Sequence, residues 1–217
     1  MKKSRKQLIK VLFVCSMVIV LTAAPVHASA DKTISAEEVF PEEQVKMAHE
    51  VARSKPISDY NEVKGINSRK ALKSTGSYPK QKGVILITGD AYKGLIPTGH
   101  AAIVWTPSLV VESLANGVTT GPNNWDVSKD TCEAVTVRGT TYLQDSEAAN
   151  WCYRQIGKPY NYDYFNVNTR SKFYCSQLVW ASFKDNYGID LNTSLFGNAV
   201  HPVELEYSSN TSIIYEK

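Results

Sequence analysis

SKFYCSQLVW, residues 171–180, sets a single cysteine where a helix begins. How Cys175 is read decides the rest: a buried small hydrophobe, half of a disulfide, or a nucleophile. The helix runs from about Ser171 to Tyr187, with Phe173, Leu178, Val179 and Phe183 as apolar positions and Gly188 as its stop. A thiol at a helix N-terminus sees the positive end of the macrodipole, which stabilises the thiolate. Against this, unpaired cysteines are often only core residues.

A nucleophile needs a base, and the base needs a group that fixes its tautomer. Of the four histidines, His27 falls in an N-terminal leader and His49 sits in a charged helix, where it reads as a surface residue. His201, in NAVHPVELEY, belongs to an irregular segment and is the weaker candidate. His100 opens the wholly apolar run HAAIVW after a Pro-Thr-Gly turn. Glu112 in LVVES interrupts a second apolar run, and WTPSL between the two runs predicts an antiparallel hairpin. In the right register His100 and Glu112 share one face, and a slip of one residue separates them. Taken apart, each residue has a plainer reading, His100 as a hydrogen-bonded histidine and Glu112 as an exposed strand end.

Around these motifs the texture is mixed. SAEEVFPEEQVKMAHEVARSKP (35–56) has helical spacing at Val45, Ala48, Val51 and Ala52, Ser35 as a cap and Pro41 as a second start. Residues 57–82 are polar and read as a loop crossing the face of the domain. Strands are expected at 83–88, 100–105, 109–113, 133–139 and 211–216, where Val, Ile and Thr cluster between turn residues. DSEAANWCYRQIG (145–157) reads as a helix whose stripe of Ala148, Cys152 and Ile156 packs on the sheet, with Pro159 following its Gly157 stop. Strands and helices in this order make an α+β domain of antiparallel sheet against helices.

The first thirty residues carry the pattern of a secretory signal peptide: basic MKKSRKQLIK, a short apolar run, and small residues ending at Ala30. That apolar run is shorter than the roughly twenty residues of a spanning helix. The leader holds five of the 24 basic residues and no acid, so 19 basic face 21 acidic residues in the remainder, a formal charge of −2. No basic stripe survives to suggest nucleic acid. Three cysteines remain, Cys132, Cys152 and Cys175. Either one disulfide forms and leaves one free thiol, Cys132 with Cys152 being the pair that spares Cys175 and a bridged Cys175 implying a structural protein, or all three are free. No cysteine or histidine pattern has zinc spacing, so neither a metal nor another cofactor is expected.

Together, GKPYNYDYFNVNTRSKFYCSQLVWASF (157–183), ITGDAYKGLIPTGHAAIVW (87–105) and VVES (110–113) resemble the NlpC-type papain-like amidases. The order His, Glu, Cys, with the cysteine last, resembles their circularly permuted YaeF/YiiX-like (YycO-like) bacterial branch, over roughly residues 80–205. The resemblance implies Cys175 as nucleophile, His100 as base and Glu112 as the residue that orients it. It also implies Tyr160, from the G-x-P-Y turn, at the oxyanion or substrate, and Tyr174, beside the nucleophile, is the second residue expected there. Tyr174 stands where ordinary members place an Asp that holds a peptide amine, and Asp163-Tyr164 replaces their Gly-Gly. Both departures weaken the case for a cell-wall peptide and leave room for an acyl or lipid-linked amide.

The resulting expectation is a permuted papain-like domain at 83–217, a helix-and-loop extension at 31–82 and a signal peptide at 1–30. Its function is that of an exported cysteine hydrolase, secreted or held at the cell envelope. The substrate is a small peptide, an amino-acid amide or a lipid amide. The rival is a non-catalytic module that binds cell-wall peptide or lipid in the same cleft. Oligomeric state is not legible in the sequence.

Overall fold

The computed structural model describes residues 34–66, 76–91 and 95–217. The expected leader, with its cysteine Cys15, and residues 67–75 of the expected polar loop lie outside these residues. Six antiparallel strands form one sheet: β1 (Ile85–Thr88), β2 (His100–Thr106), β3 (Leu109–Leu114), β4 (Gly117–Pro122), β5 (Glu133–Val137) and β6 (Thr211–Glu216). Their order is β4-β3-β2-β1-β5-β6. The short 107–108 connection makes β2 and β3 a hairpin, as WTPSL predicts, with a register shift between Val104 and Thr106.

Both faces of the central strands are covered, which is why their sequences run apolar without alternating. Ile85, Ile87, Ala101, Ile103, Val111, Val135 and Val137 face the main core. That core is closed by α5 (Tyr142–Tyr153), α6 (Cys175–Tyr187) and α7 (Pro202–Tyr207). Leu86, Ala102, Val104, Val110 and Ala134 face the other way, beneath Tyr60, Tyr78 and Trp125. Tyr60 begins α3 (Tyr60–Val63), a turn of helix inside the segment expected to be loop, and Trp125 begins α4 (Trp125–Ser128).

α6 is buried from Cys175 through Phe183 without a break, as a helix enclosed on all sides must be. Removing one of its large apolar side chains from water is worth about 1.5–3 kcal/mol. Gly188, at φ 68°, ends it in the left-handed conformation that glycine adopts without a Cβ penalty.

The N-terminal helix divides at Pro41 into α1 (Ala36–Val39) and α2 (Glu42–Arg53), with Val45, Ala48 and Ala52 turned inward. His49 is not the surface residue its charged neighbours suggest: its Nδ1 lies 3.1 Å from Glu206 Oε2 of α7.

α5 starts three residues before the expected Asp145, because Thr141 and Gln144 form a capping box. Asp145 is instead buried in an ion pair with Lys64, at 2.6 Å. Ile156 does not join the sheet-facing stripe: the helix ends at Tyr153 and Ile156 is exposed, while Ala148, Ala149 and Cys152 pack inward. β4 and α7 were not legible. GVTTGP reads as turn residues, and His201 proves to be the N-cap of α7, accepting from Val203 N–H at 3.1 Å.

Candidate active site

Cys175 is the first residue of α6, and its placement depends on backbone pairing before the helix. Tyr160 and Phe173 form an isolated parallel bridge. Phe173 N–H donates to Pro159 O at 3.0 Å, and Asn161 N–H donates to Phe173 O at 3.1 Å. The same carbonyl accepts from Ser113 Oγ of β3 at 2.7 Å. The G-x-P-Y turn and β3 are thus both fastened one or two residues before Cys175. Gln177 Oε1 accepts from Tyr174 N–H at 3.2 Å and satisfies one of the open donors at the helix start.

His100 is the first residue of β2, and Glu112 lies opposite Ala102 on β3. The two are therefore diagonal neighbours on one face, the register that the sequence required. His100 Nε2 donates to Glu112 Oε2 at 2.7 Å. The same imidazole interacts with the Cys175 side chain. Burial alone would push the imidazole pKa down. The hydrogen bond and charge of Cys175, and then those of Glu112, outweigh burial and raise it from 6.5 to about 9. The three side chains, on three separate elements, form a connected nucleophile, base and orienting acid.

Two residues that sequence reasoning missed shape this site. The Trp125 ring stacks on His100 at 5.5 Å between centroids. Gly121 of β4 leaves the hollow that Glu112 occupies: a Cβ there would stand 2.0 Å from Glu112 Oε1. Nothing in a Gly-Pro or Asn-Asn-Trp string points to either role. The site is closed, with Cys175 and His100 each 1% exposed and Glu112 6%.

The two tyrosines fare differently. Tyr160 has a buried hydroxyl with no hydrogen bond of ordinary geometry among the described residues. Burial, then the charge of Cys175, hold its ionisation well above the usual phenol range. Its one polar neighbour is the Tyr164 hydroxyl, and a donor so weakly held beside Cys175 is what an oxyanion requires. Tyr174 does not meet its expectation as a substrate contact. Its hydroxyl donates to Tyr164 O at 3.2 Å and accepts from Val200 N–H at 2.9 Å, and the ring is wholly buried. It is a strut between loops.

All three described cysteines are free. Cys132 lies in the cluster on the outer face of the sheet and Cys152 in the main core, so the sheet separates them and no bridge can form. Burial pushes both thiols up to about 12. Among the described residues no group of three or more His, Cys, Asp or Glu side chains is placed to hold a metal ion, and no helix is long and apolar enough to cross a membrane.

Comparison with known proteins adds to this geometry. The family model described as permuted papain-like amidase enzyme, YaeF/YiiX, C92 family, matches residues 83–209. The uncharacterized protein YycO of Bacillus subtilis (strain 168) is 30% identical over 139 residues. That alignment covers 61% of this chain and 55% of YycO, so the chain spans about half the length of this relative. The crystal structure of the metalloprotein YiiX from Escherichia coli O157:H7 matches with a TM-score of 0.51 at 16% identity. It covers 64% of this chain and 98% of that one, a likeness of fold alone.

Proposed function

The chain belongs to the permuted papain-like amidases of the YaeF/YiiX type, and on that premise we propose that it is an exported cysteine hydrolase that cleaves an amide bond through an acyl-enzyme. One observation carries the reading: His100 Nε2 holds Glu112 at 2.7 Å, and the same imidazole interacts with Cys175.

In the reaction, His100 Nδ1 takes the thiol proton and Cys175 Sγ attacks the substrate carbonyl carbon. The Cys175 N–H at the start of α6 and the Tyr160 hydroxyl face the developing oxyanion. Loss of one such donor typically slows turnover about a hundred- to a thousandfold. Collapse of the tetrahedral adduct breaks the C–N bond, and His100 returns its proton to the leaving amine. Water, deprotonated by the same imidazole, then attacks the thioester and releases the acid. Glu112 keeps the ring in the tautomer that both steps use.

The fold relative YiiX is a metalloprotein. No fitting donor set is found among the described residues here, so each step is assigned to the chain's own side chains. The substrate is a cell-wall peptide or an N-acyl or lipid-linked amide. Export rests on the basic, apolar and small-residue pattern ending at Ala30.

The test incubates the purified chain with muropeptides and N-acyl amino acids and looks by intact mass for an acyl adduct mapping to Cys175. Turnover should vanish in Cys175→Ala and His100→Ala. Hydrolysis that survives Cys175→Ala refutes the assignment.

A further inference from the structure

Tyr164 lies in the segment between the G-x-P-Y turn and α6, and that segment is knitted to the start of the helix. Asn161 Nδ2 donates to Gln177 Oε1 at 3.0 Å, and Gln177 Nε2 donates to Val167 O at 3.1 Å. Asp163 N–H donates to Asn161 Oδ1 at 3.1 Å, and Asn166 N–H donates to Asp163 O at 3.0 Å. Tyr164 is thus carried on a loop fastened to the same turn of helix that begins with Cys175.

The ring itself is clamped. Phe40, the C-cap of α1, meets it edge-on at 5.3 Å, and Tyr174 does so at 5.3 Å as well. The Tyr174 hydroxyl donates to Tyr164 O at 3.2 Å and accepts from Val200 N–H at 2.9 Å. Ring and backbone are therefore both held, and the residue is only 5% exposed. What stays free is the rotation of its O–H.

That hydroxyl lies beside the hydroxyl of Tyr160. Tyr160 is the inner member of the pair: its bridge to Phe173 sets it close to Cys175, and its hydroxyl is the buried one. It makes no hydrogen bond of ordinary geometry among the described residues, so the resting fold leaves the direction of its proton open. An oxyanion donor works best when it is aimed before the charge develops. Burial pushes the Tyr164 phenol up to about 12 and that of Tyr160 well above its usual range, so both keep their protons near neutral pH. Each phenol has one proton to donate and lone pairs to accept. With the Tyr160 proton on the substrate oxygen, the Tyr160 oxygen is left to accept from Tyr164. Donation in that sense polarises the Tyr160 O–H and strengthens the bond it makes. The reverse sense would use up the proton that the oxyanion needs.

We propose that Tyr164 is a positioning residue for the oxyanion donor, its hydroxyl donating to the Tyr160 oxygen so that the Tyr160 O–H points at the substrate carbonyl oxygen. The inference rests on the hydrolase reading and deepens it: only Tyr160 touches the substrate, and no bond forms or breaks at either tyrosine.

The test compares two reactions of Cys175 in the full chain. With p-nitrophenyl acetate, Sγ attacks the ester carbonyl, an oxyanion forms, and p-nitrophenolate leaves behind an acetyl thioester. With iodoacetamide, Sγ displaces iodide at a saturated carbon and no oxyanion forms. Tyr164→Phe keeps the ring and its contacts; it should slow acylation about tenfold, as loss of one hydrogen bond does, and leave alkylation within about twofold. On a Tyr160→Phe background the same change should leave acylation unaltered, because Tyr164 acts through Tyr160. A ring-fluorinated tyrosine in place of Tyr164, a stronger donor of nearly the same shape, should acylate at least as fast as the wild-type chain. Equal slowing of acylation and alkylation makes Tyr164 structural and overturns the proposal. So does unchanged acylation in Tyr164→Phe, an effect that persists without the Tyr160 hydroxyl, or a fluorinated chain as slow as Tyr164→Phe. In each of these cases an acylated wild-type Cys175 leaves the hydrolase reading standing. A wild-type Cys175 that is alkylated and never acylated overturns both together.

Discussion

Gly121→Ala adds one carbon, on a strand that supplies none of the three catalytic side chains, and is expected to disable the site. The new Cβ would stand 2.0 Å from Glu112 Oε1 and 3.0 Å from its carboxyl carbon. Ordinary contact lies near 3.5 Å, so the carboxylate has to retreat by more than about 1 Å. Its hydrogen bond to His100 is 2.7 Å long, and a displacement of that size breaks it. Separating a buried pair in this way costs about 3 kcal/mol of stability. Misplacing a catalytic group by about 1 Å costs on the order of a hundredfold in rate.

Urea unfolding and the rate of Cys175 alkylation measure the two effects. Glu112→Ala supplies the control, because it removes the group that the methyl strikes. On that background Gly121→Ala should cost almost nothing, since its next contact, Val110 Cγ2, is an ordinary 3.6 Å. The cycle should therefore show a coupling of at least about 1 kcal/mol. If Gly121→Ala destabilises both backgrounds equally, the hollow serves general packing and the argument fails.

Three further outcomes are expected. The folded-state pKa of His100 is raised from 6.5 to about 9, so its stabilising contribution, about 3 kcal/mol by linkage, is complete below pH 6.5. It fades as pH rises through 9, and urea titrations of His100→Gln should lose that slope. Iodoacetamide on the folded chain should label Cys175 ahead of Cys132 and Cys152, whose thiols burial pushes up to about 12. His100→Ala should slow that labelling, and peptide mapping showing equal rates removes His100 from the site. Tyr160→Phe should slow turnover by about a hundredfold with little loss of stability, because the hydroxyl it removes interacts only with that of Tyr164 and makes no other hydrogen bond among the described residues. A clear loss of stability would make Tyr160 a structural residue.

Legibility in the sequence followed the range of the interactions. The long helices and most strands were readable because apolar spacing and caps act within a few residues, as Ser35, Pro41 and Gly188 show. The hairpin and its two candidates, His100 and Glu112, were readable too, but their register was not: the turn pairing Thr106 with Leu109 would set Glu112 opposite Ile103, and the bulge between Val104 and Thr106 moves it opposite Ala102, onto the face of His100. Cys175 entered the site through resemblance and the helix start, both properties of the chain.

Only tertiary structure decided what distant segments do to one another. Cys132 and Cys152 are twenty positions apart, but a sheet passes between them, and no spacing rule contains that sheet. Tyr174 looked available and was consumed by Tyr164 and Val200. His49 looked solvated and was claimed by Glu206, 157 residues on. Gly121 resembled any turn glycine until Glu112 filled the space above it. Sequence patterns record what neighbours along the chain require. Burial, and the partners that buried polar groups must find, are set by packing between elements, and there the sequence carries the answer without displaying it.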